Sequence, residues 1–307
     1  MMRSQVDAAL LQWDGVFNGQ QTRRVRTPQL GTVPEQANAI RLRLRRIVRR
    51  TPQALVRISG GGQGMRAIRA HLDYISRHGR LALLDQDGET CLGTEDLAWL
   101  SYGWQAGGMP IAERSGRREA LNIVLSMPAG TDATALWRAA CEFARDEFDG
   151  VQYALVLHSA DSDPGRAPSP HPHVHLCVKV GAADGSRLNP RKADLRRWRE
   201  RFAGRLREHG IDAAASGRRE RFARQVPYRQ SVHHLRQRSV QRHDGREQHA
   251  AASRTISERS APMLRHYAEI ARVLAGSSDA ADRSLAIGLA QFCLQTQERE
   301  RAPDRAR

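Results

Sequence analysis

The sequence predicts an α+β domain: an antiparallel sheet with helices packed on one face. Three observations predict it. Short β-rich runs interleave with amphipathic stretches, two of the runs follow one another across a turn-forming segment, and Gly, Pro and Asp punctuate the boundaries. With 307 residues, 40% of them hydrophobic, the chain can bury one sizeable core or two modest ones. The expected organisation is a basic N-terminal extension over 1–53, the main domain over 54–225 and a basic, helical C-terminal extension over 226–307.

Residues 1–53 end in IRLRLRRIVRR, a run compatible with a basic helix, a short strand or a partly disordered arm. ALVRISGGGQG then reads as a strand entering a glycine loop, and MRAIRAHLDYISRHG as a helix ending at Gly79. The glycines lack the Lys-Ser/Thr of a phosphate-binding loop, so a flexible strand-to-helix turn is the simpler reading. RLALLDQDGE is a strand running into an Asp-Gly turn, and ALNIVLSMP a strand closed by Pro128. TDATALWRAACEFARDEFDG is a helix with Thr131 as its cap and Gly150 as its terminator. VQYALVLHS and HVHLCVKV are β-rich runs joined by DSDPGRAPSP, as in an antiparallel pair. LNPRKADLRRWRERFAGRLREHG is a helix with Asn189 as cap, Pro190 at its first position and a stripe of Leu195, Trp198, Phe202 and Leu206. The end of the chain, including QERERAPDRAR, is weakly amphipathic and charged.

A formal net charge of +16 favours a polyanionic partner, because clustered guanidinium groups neutralise phosphates and release counterions. The four scattered cysteines, without CxxC spacing, fit a reducing compartment. The N-terminus lacks signal-peptide features, and no apolar run approaches the length of a membrane span, so a soluble cytoplasmic protein is expected.

The chemistry concentrates in PSPHPHVHLCVKV, residues 168–180. Side chains alternate along a strand, so His173 and His175 project together, roughly 7 Å apart, and can converge on one metal ion. His171 lies about 13 Å from His175 by the same rise, so a third ligand should come from another strand. His158 closes the preceding strand and is the natural candidate, with His171 as the rival. Asp161 and Asp163, in the connecting loop, are candidates to orient an imidazole. Arg191, Lys192, Arg196 and Arg197 lie along the helix that follows, where they are candidates to track phosphates.

Two resemblances follow from these residues. The alternation from His171 to Cys177 resembles the histidine-triad nucleotide hydrolases and transferases. The other covers more chain: AIRAHLDYISRHGRLAL, LNIVLSMP, YALVLHSADSD, PHVHLCV and LNPRKADLRRWRERFAGRLREHGI, in that order, look like the conjugative relaxases of the P-type mobilisation group, within the HUH endonucleases. This resemblance implies Tyr74 as the nucleophile, His158, His173 and His175 as metal ligands, and Ser126 as a residue near the DNA. It implies Mg or Mn as the working ion, although three imidazoles favour Zn by intrinsic affinity. It further implies single-stranded DNA at a transfer origin as substrate, with relaxosome accessory proteins and a type IV secretion coupling protein as partners. The family usually joins the first histidine to the HVH pair by a short acidic turn, whereas this chain inserts GRAPSPHP.

Tyr74 also stands out from its own context. At 100° per residue, Ile68, Leu72 and Ile75 share a face, and Tyr74 falls roughly 100° away from it, off the buried stripe. A tyrosine with a pKa near 10 needs its proton removed, and His71, Asp73 and the loop aspartates are the candidates. Three functions are therefore open at this point: a DNA nicking and joining enzyme, a nucleotide hydrolase acting through histidine, and a catalytically inactive DNA-binding accessory protein.

Overall fold

The computed structural model describes residues 1–17, 31–163, 169–223 and 246–301. The chain divides into two compact units, one of residues 52–215 and one made of 1–51 together with 216–307.

The 52–215 unit is built on a six-stranded sheet in the order β1-β4-β6-β5-β2-β3, with every neighbouring pair antiparallel. Its strands are β1 (Leu55–Gly60), β2 (Leu83–Asp85), β3 (Thr90–Cys91), β4 (Ala120–Ser126), β5 (Tyr153–His158) and β6 (His173–Lys179). Period-2 alternation sorts the three central strands cleanly. Leu121, Ile123 and Leu125 of β4, Leu155 of β5, and Val174, Leu176 and Val178 of β6 all enter one core. There they meet α5 (Ala133–Glu147) and α6 (Lys192–Glu208), where Phe143, Trp198 and Phe202 of the helices and Phe148, just past the end of α5, pack edge to face.

The opposite face of the same strands carries Ala120, Ala154, Val156 and Cys177. It is partly covered by α3 (Met65–Ile75) and α4 (Gly93–Ala106), through Met65, Ile68, Leu72, Ile75, Leu97 and Trp104. The α+β class and the antiparallel sheet are as expected, and helices lie on both faces rather than one. The second face is apolar at its centre and needs a cover.

Local chemistry sets several boundaries differently from the sequence expectation. The α5 cap is Asp132, whose carboxylate accepts from the backbone N–H groups of Thr134 and Ala135, while Thr131 Oγ1 donates to Pro128 O. The start of α6 falls at Lys192 rather than at Pro190, because Asp194 Oδ2 accepts from the Arg191 N–H at 2.7 Å. The glycine loop is consumed by packing: Gly62 N–H donates to Ala120 O, Gly62 O accepts from Glu119 N–H, and a Cβ at Gly64 (φ +89) would lie 2.6 Å from Glu113 O. The Gly62 N–H is thus spent within the protein, which accords with a strand-to-helix turn.

The second unit holds α1 (Arg3–Phe17), α2 (Val33–Val48), α7 (Arg246–Ala275) and α8 (Ala280–Arg301). IRLRLRRIVRR is thus mostly helix, and its Ile40, Leu44 and Ile47 join Val6, Leu10, Tyr267, Leu274 and Leu289 in one core. Arg41 is buried there, donating to both oxygens of Asp282 and to Asp7 Oδ1 at 2.6 Å. Residues 224–245 and 302–307, part of the predicted C-terminal extension, lie outside the described residues.

Candidate metal centre

Cross-strand register assembles the histidines. His158 of β5 stands directly opposite His173 of β6, and Ser126 of β4 flanks His173 on the other side. His175 lies two residues along β6 on the same face, so three imidazoles from two adjacent strands share one patch. Ring centroids are 5.1 Å apart for His158 and His173, 4.7 Å for His158 and His175, and 5.0 Å for His173 and His175. One nitrogen from each lies within 4.8 Å of the other two.

The donor set suits a divalent cation. His158 Nε2 donates to Ile75 O at 2.7 Å, and His173 Nδ1 donates to His171 O at 2.9 Å. Each bond fixes a tautomer and puts the lone pair on the other ring nitrogen, as in metal-bound histidines whose second nitrogen is held by a carbonyl; at His158 that nitrogen, Nδ1, also faces Arg77 Nη2 at 3.4 Å and Asp163 Oδ2 at 3.3 Å. Burial, reinforced by the neighbouring His158 and His173, pushes the His175 imidazole down to about 3. Burial also lowers His158, against the opposing pull of its bond to Ile75. Both are therefore neutral, ligand-competent imidazoles at neutral pH.

His171 is exposed and stands outside this cluster; its part is the backbone oxygen that orients His173. Asp163 is buried and reaches the cluster: its carboxylate takes a bidentate pair of bonds from Arg77 at 2.8 and 2.7 Å and lies 3.3 Å from His158 Nδ1. Asp161 is exposed. Residues 164–168, which include the first four of the inserted stretch, lie outside the described residues.

Tyr74 sits in the last turn of α3 and is 60% exposed, while Ile68, Leu72 and Ile75 are buried. The next carbonyl in the chain, Ile75 O, is the one that accepts from His158. Arg77 closes the arrangement. Its guanidinium lies 5.3 Å from the Tyr74 ring centroid and 3.4 Å from His158 Nδ1 while gripping Asp163. Hydrogen bonding to Asp163 raises its pKa further, so it is a permanent cation. Arg77 and His78 both adopt left-handed backbone, φ 55 and 60, an uncommon state for residues with a Cβ, and this turn carries the Arg77 side chain back over Tyr74.

Among the candidate proton acceptors, Asp73 pairs with His78 at 2.7 Å and Asp163 with Arg77. His71 stands 6.4 Å from His175, its Nε2 is buried without a partner, and burial lowers its pKa.

The α6 basic residues are not brought to this patch. That helix packs against the sheet face opposite the histidines, Arg197 and Arg201 both bind Glu147, and Arg196 pairs with Glu200. Arg191 and Lys192 are exposed at the start of the same helix. Sequence reasoning missed Arg57 instead. It is exposed on β1 opposite Val124, which in turn pairs with His175, and it enters no ion pair among the described residues. Its signal was the strand alternation in LVRIS, which places Arg57 on the side away from Val56 and Ile58.

Residues 108–211 match the family described as "Relaxase: MobA/VirD2-like, nuclease domain". That segment contains β4, α5, β5, β6 and the three clustered histidines, and Tyr74 lies upstream of it. The chain is also 28% identical over 201 residues to the T-DNA border endonuclease VirD2 of Rhizobium radiobacter, covering 59% of this chain and 46% of that protein. The T-DNA border endonuclease VirD2 of Rhizobium rhizogenes is 28% identical over 200 residues, covering 58% and 44%. The chain thus spans less than half the length of the curated relatives it matches. No helix among the described residues is long and apolar enough to cross a membrane.

Proposed function

We propose, from the premise that this chain carries a MobA/VirD2-like relaxase nuclease domain of the HUH superfamily, that it nicks and rejoins single-stranded DNA through Tyr74. The observation that carries the reading is the placement of an exposed tyrosine one residue from the carbonyl that anchors the His158 imidazole, beside two further imidazoles and a fixed guanidinium.

In this reading His158, His173 and His175 hold a divalent ion, Mg or Mn in the cell. When bound, such an ion supplies charge withdrawal from a non-bridging phosphate oxygen and fixes the phosphate for in-line attack. Tyr74 provides the nucleophile. Its phenol oxygen bonds to phosphorus as the bond to the sugar 3′ oxygen breaks; the phenol proton leaves, the 3′ oxygen gains one, and a 5′-phosphotyrosine remains. The link conserves the phosphodiester, so the reverse step reseals DNA without a nucleotide cofactor. His71 is favoured as the proton acceptor, because its Nε2 is unpartnered while Asp73 and Asp163 are engaged. Arg77 positions the tyrosine ring and presents positive charge where the phosphate must sit. Arg57 and Ser126 border the histidine face and are suited to contact the incoming strand.

The setting that goes with this chemistry is transfer or mobilisation of a plasmid or integrative element from a bacterial cytoplasm, with a transfer origin as substrate and with relaxosome and coupling proteins as partners. The test is incubation with single-stranded oligonucleotides spanning candidate transfer origins, plus Mg or Mn, followed by denaturing gels. A detergent-resistant protein-DNA adduct is expected, and Tyr74→Phe should remove it, by at least about a thousandfold, while leaving DNA binding intact. An adduct that survives Tyr74→Phe refutes the assignment. Hydrolysis of small nucleotides without adduct would indicate a histidine-triad hydrolase, and binding alone an inactive accessory protein.

A further inference from the structure

One stretch of the nuclease unit departs from the character of the chain. No Lys or Arg occurs between Arg80 and Arg114, in a protein with 49 of them, while Asp85, Asp87, Glu89, Glu95, Asp96 and Glu113 all fall there. The stretch folds into the β2-β3 hairpin and α4, and among its acidic groups from Asp85 to Asp96 none is in an ion pair with a described basic residue. Asp85, Asp96 and Glu89 add to burial in raising the Cys91 thiol, as a negative local potential does.

This face is also aromatic. Trp99 and Tyr102 are 67% and 63% exposed, one helical turn apart, with ring centroids 6.2 Å from each other. Trp99 lines a pocket of about 410 Å³ together with Asp85, Asp87, Asp96 and Trp104. Trp104, fully buried, forms part of the pocket's base, and its Nε1–H has no hydrogen-bond partner.

We infer that this pocket and the adjoining aromatic turn of α4 dock an arginine- or lysine-bearing segment of a partner protein. The acidic groups repel DNA phosphates and attract a cationic side chain, and the exposed Trp99 ring is available to a guanidinium. The exposed rings continue past the pocket to Tyr102, which suits a peptide better than a small cation.

The test uses the full chain with fluorescent octa-arginine and octa-glutamate peptides near physiological salt. Octa-arginine should bind and octa-glutamate should not. Trp99→Ala and Asp87→Asn should each weaken octa-arginine at least about fivefold, whereas Asp149→Asn, an exposed acid elsewhere, should not. Both variants alter surface groups, and unchanged single-strand DNA binding keeps this result separate from the nuclease reading. Equal affinity in wild type, Trp99→Ala and Asp87→Asn overturns the inference, as does equal binding of octa-glutamate. A concentration-dependent dimer that Trp99→Ala dissociates also overturns it, by assigning the face to a second copy.

Discussion

Acidification should destabilise the 52–215 unit through its histidine patch, by an amount the structure allows to be worked out. His175 titrates near 6.5 when unfolded but is pushed down to about 3 in the fold, because burial and the adjacent imidazoles disfavour its cation. Above pH 6.5 neither state binds the proton and the neutral imidazole costs nothing. As pH falls below 6.5 the unfolded chain takes up a proton that the folded one refuses, so stability is lost at about 1.4 kcal/mol per pH unit. From about pH 6.5 to about pH 5 this group alone removes about 2 kcal/mol. His158 and His71 are lowered by burial too, and act with the same sign. The assay is urea unfolding of metal-free protein at the two pH values, scored by hydrogen exchange on the β6 peptide so that the 52–215 unit is reported separately. His175→Gln, which cannot titrate, should retain most of the stability that wild type loses. Equal losses in the two proteins, or wild-type stability that rises on acidification, would refute the linkage.

Further outcomes follow from the same contacts. His158→Asn should weaken Mn binding, measured by calorimetry, at least about a hundredfold, while His171→Ala should change it little, because His171 contributes a backbone oxygen rather than an imidazole. Arg57→Ala should lower single-strand DNA affinity and reduce its salt slope by about 0.7, whereas Arg197→Ala, whose guanidinium is already paired with Glu147 and Asp194, should leave the slope unchanged. Lys179→Met should destabilise the unit by about 2–3 kcal/mol in chemical unfolding, because the buried ammonium donates to Trp104 O, Gly107 O and Gln152 Oε1 and its loss strands all three acceptors.

Particular residues show where the sequence was legible. His173 and His175 were readable as a pair because alternation along a strand is a local property of the backbone. Tyr74 was readable as off the buried stripe because helical periodicity is equally local, and it is exposed in the fold. The cap of α5 was misplaced by one residue, since Thr131 and Asp132 both have capping chemistry and the carboxylate is the one that reaches two donors. The α6 arginines read as a phosphate track only while their neighbours were unknown: Glu147 lies on α5, and contact between α5 and α6 spans some 50 residues of sequence. Arg77 was not singled out at all, because nothing in SRHG announces that a left-handed turn will send its side chain to Asp163.

The amino-acid order by itself determined the strands β1, β2, β4, β5 and β6, the helices α3, α5 and α6, the basic balance and the pairing of two imidazoles on one strand face, all properties that depend on neighbours a few positions away. The folded structure alone decided that His158 faces His173, that Arg77 bridges Tyr74 and Asp163, and that the α6 arginines turn away from the histidines while the terminal segments share a core. Those facts are set by strand register and by the packing of residues tens of positions apart, where no local periodicity carries the information.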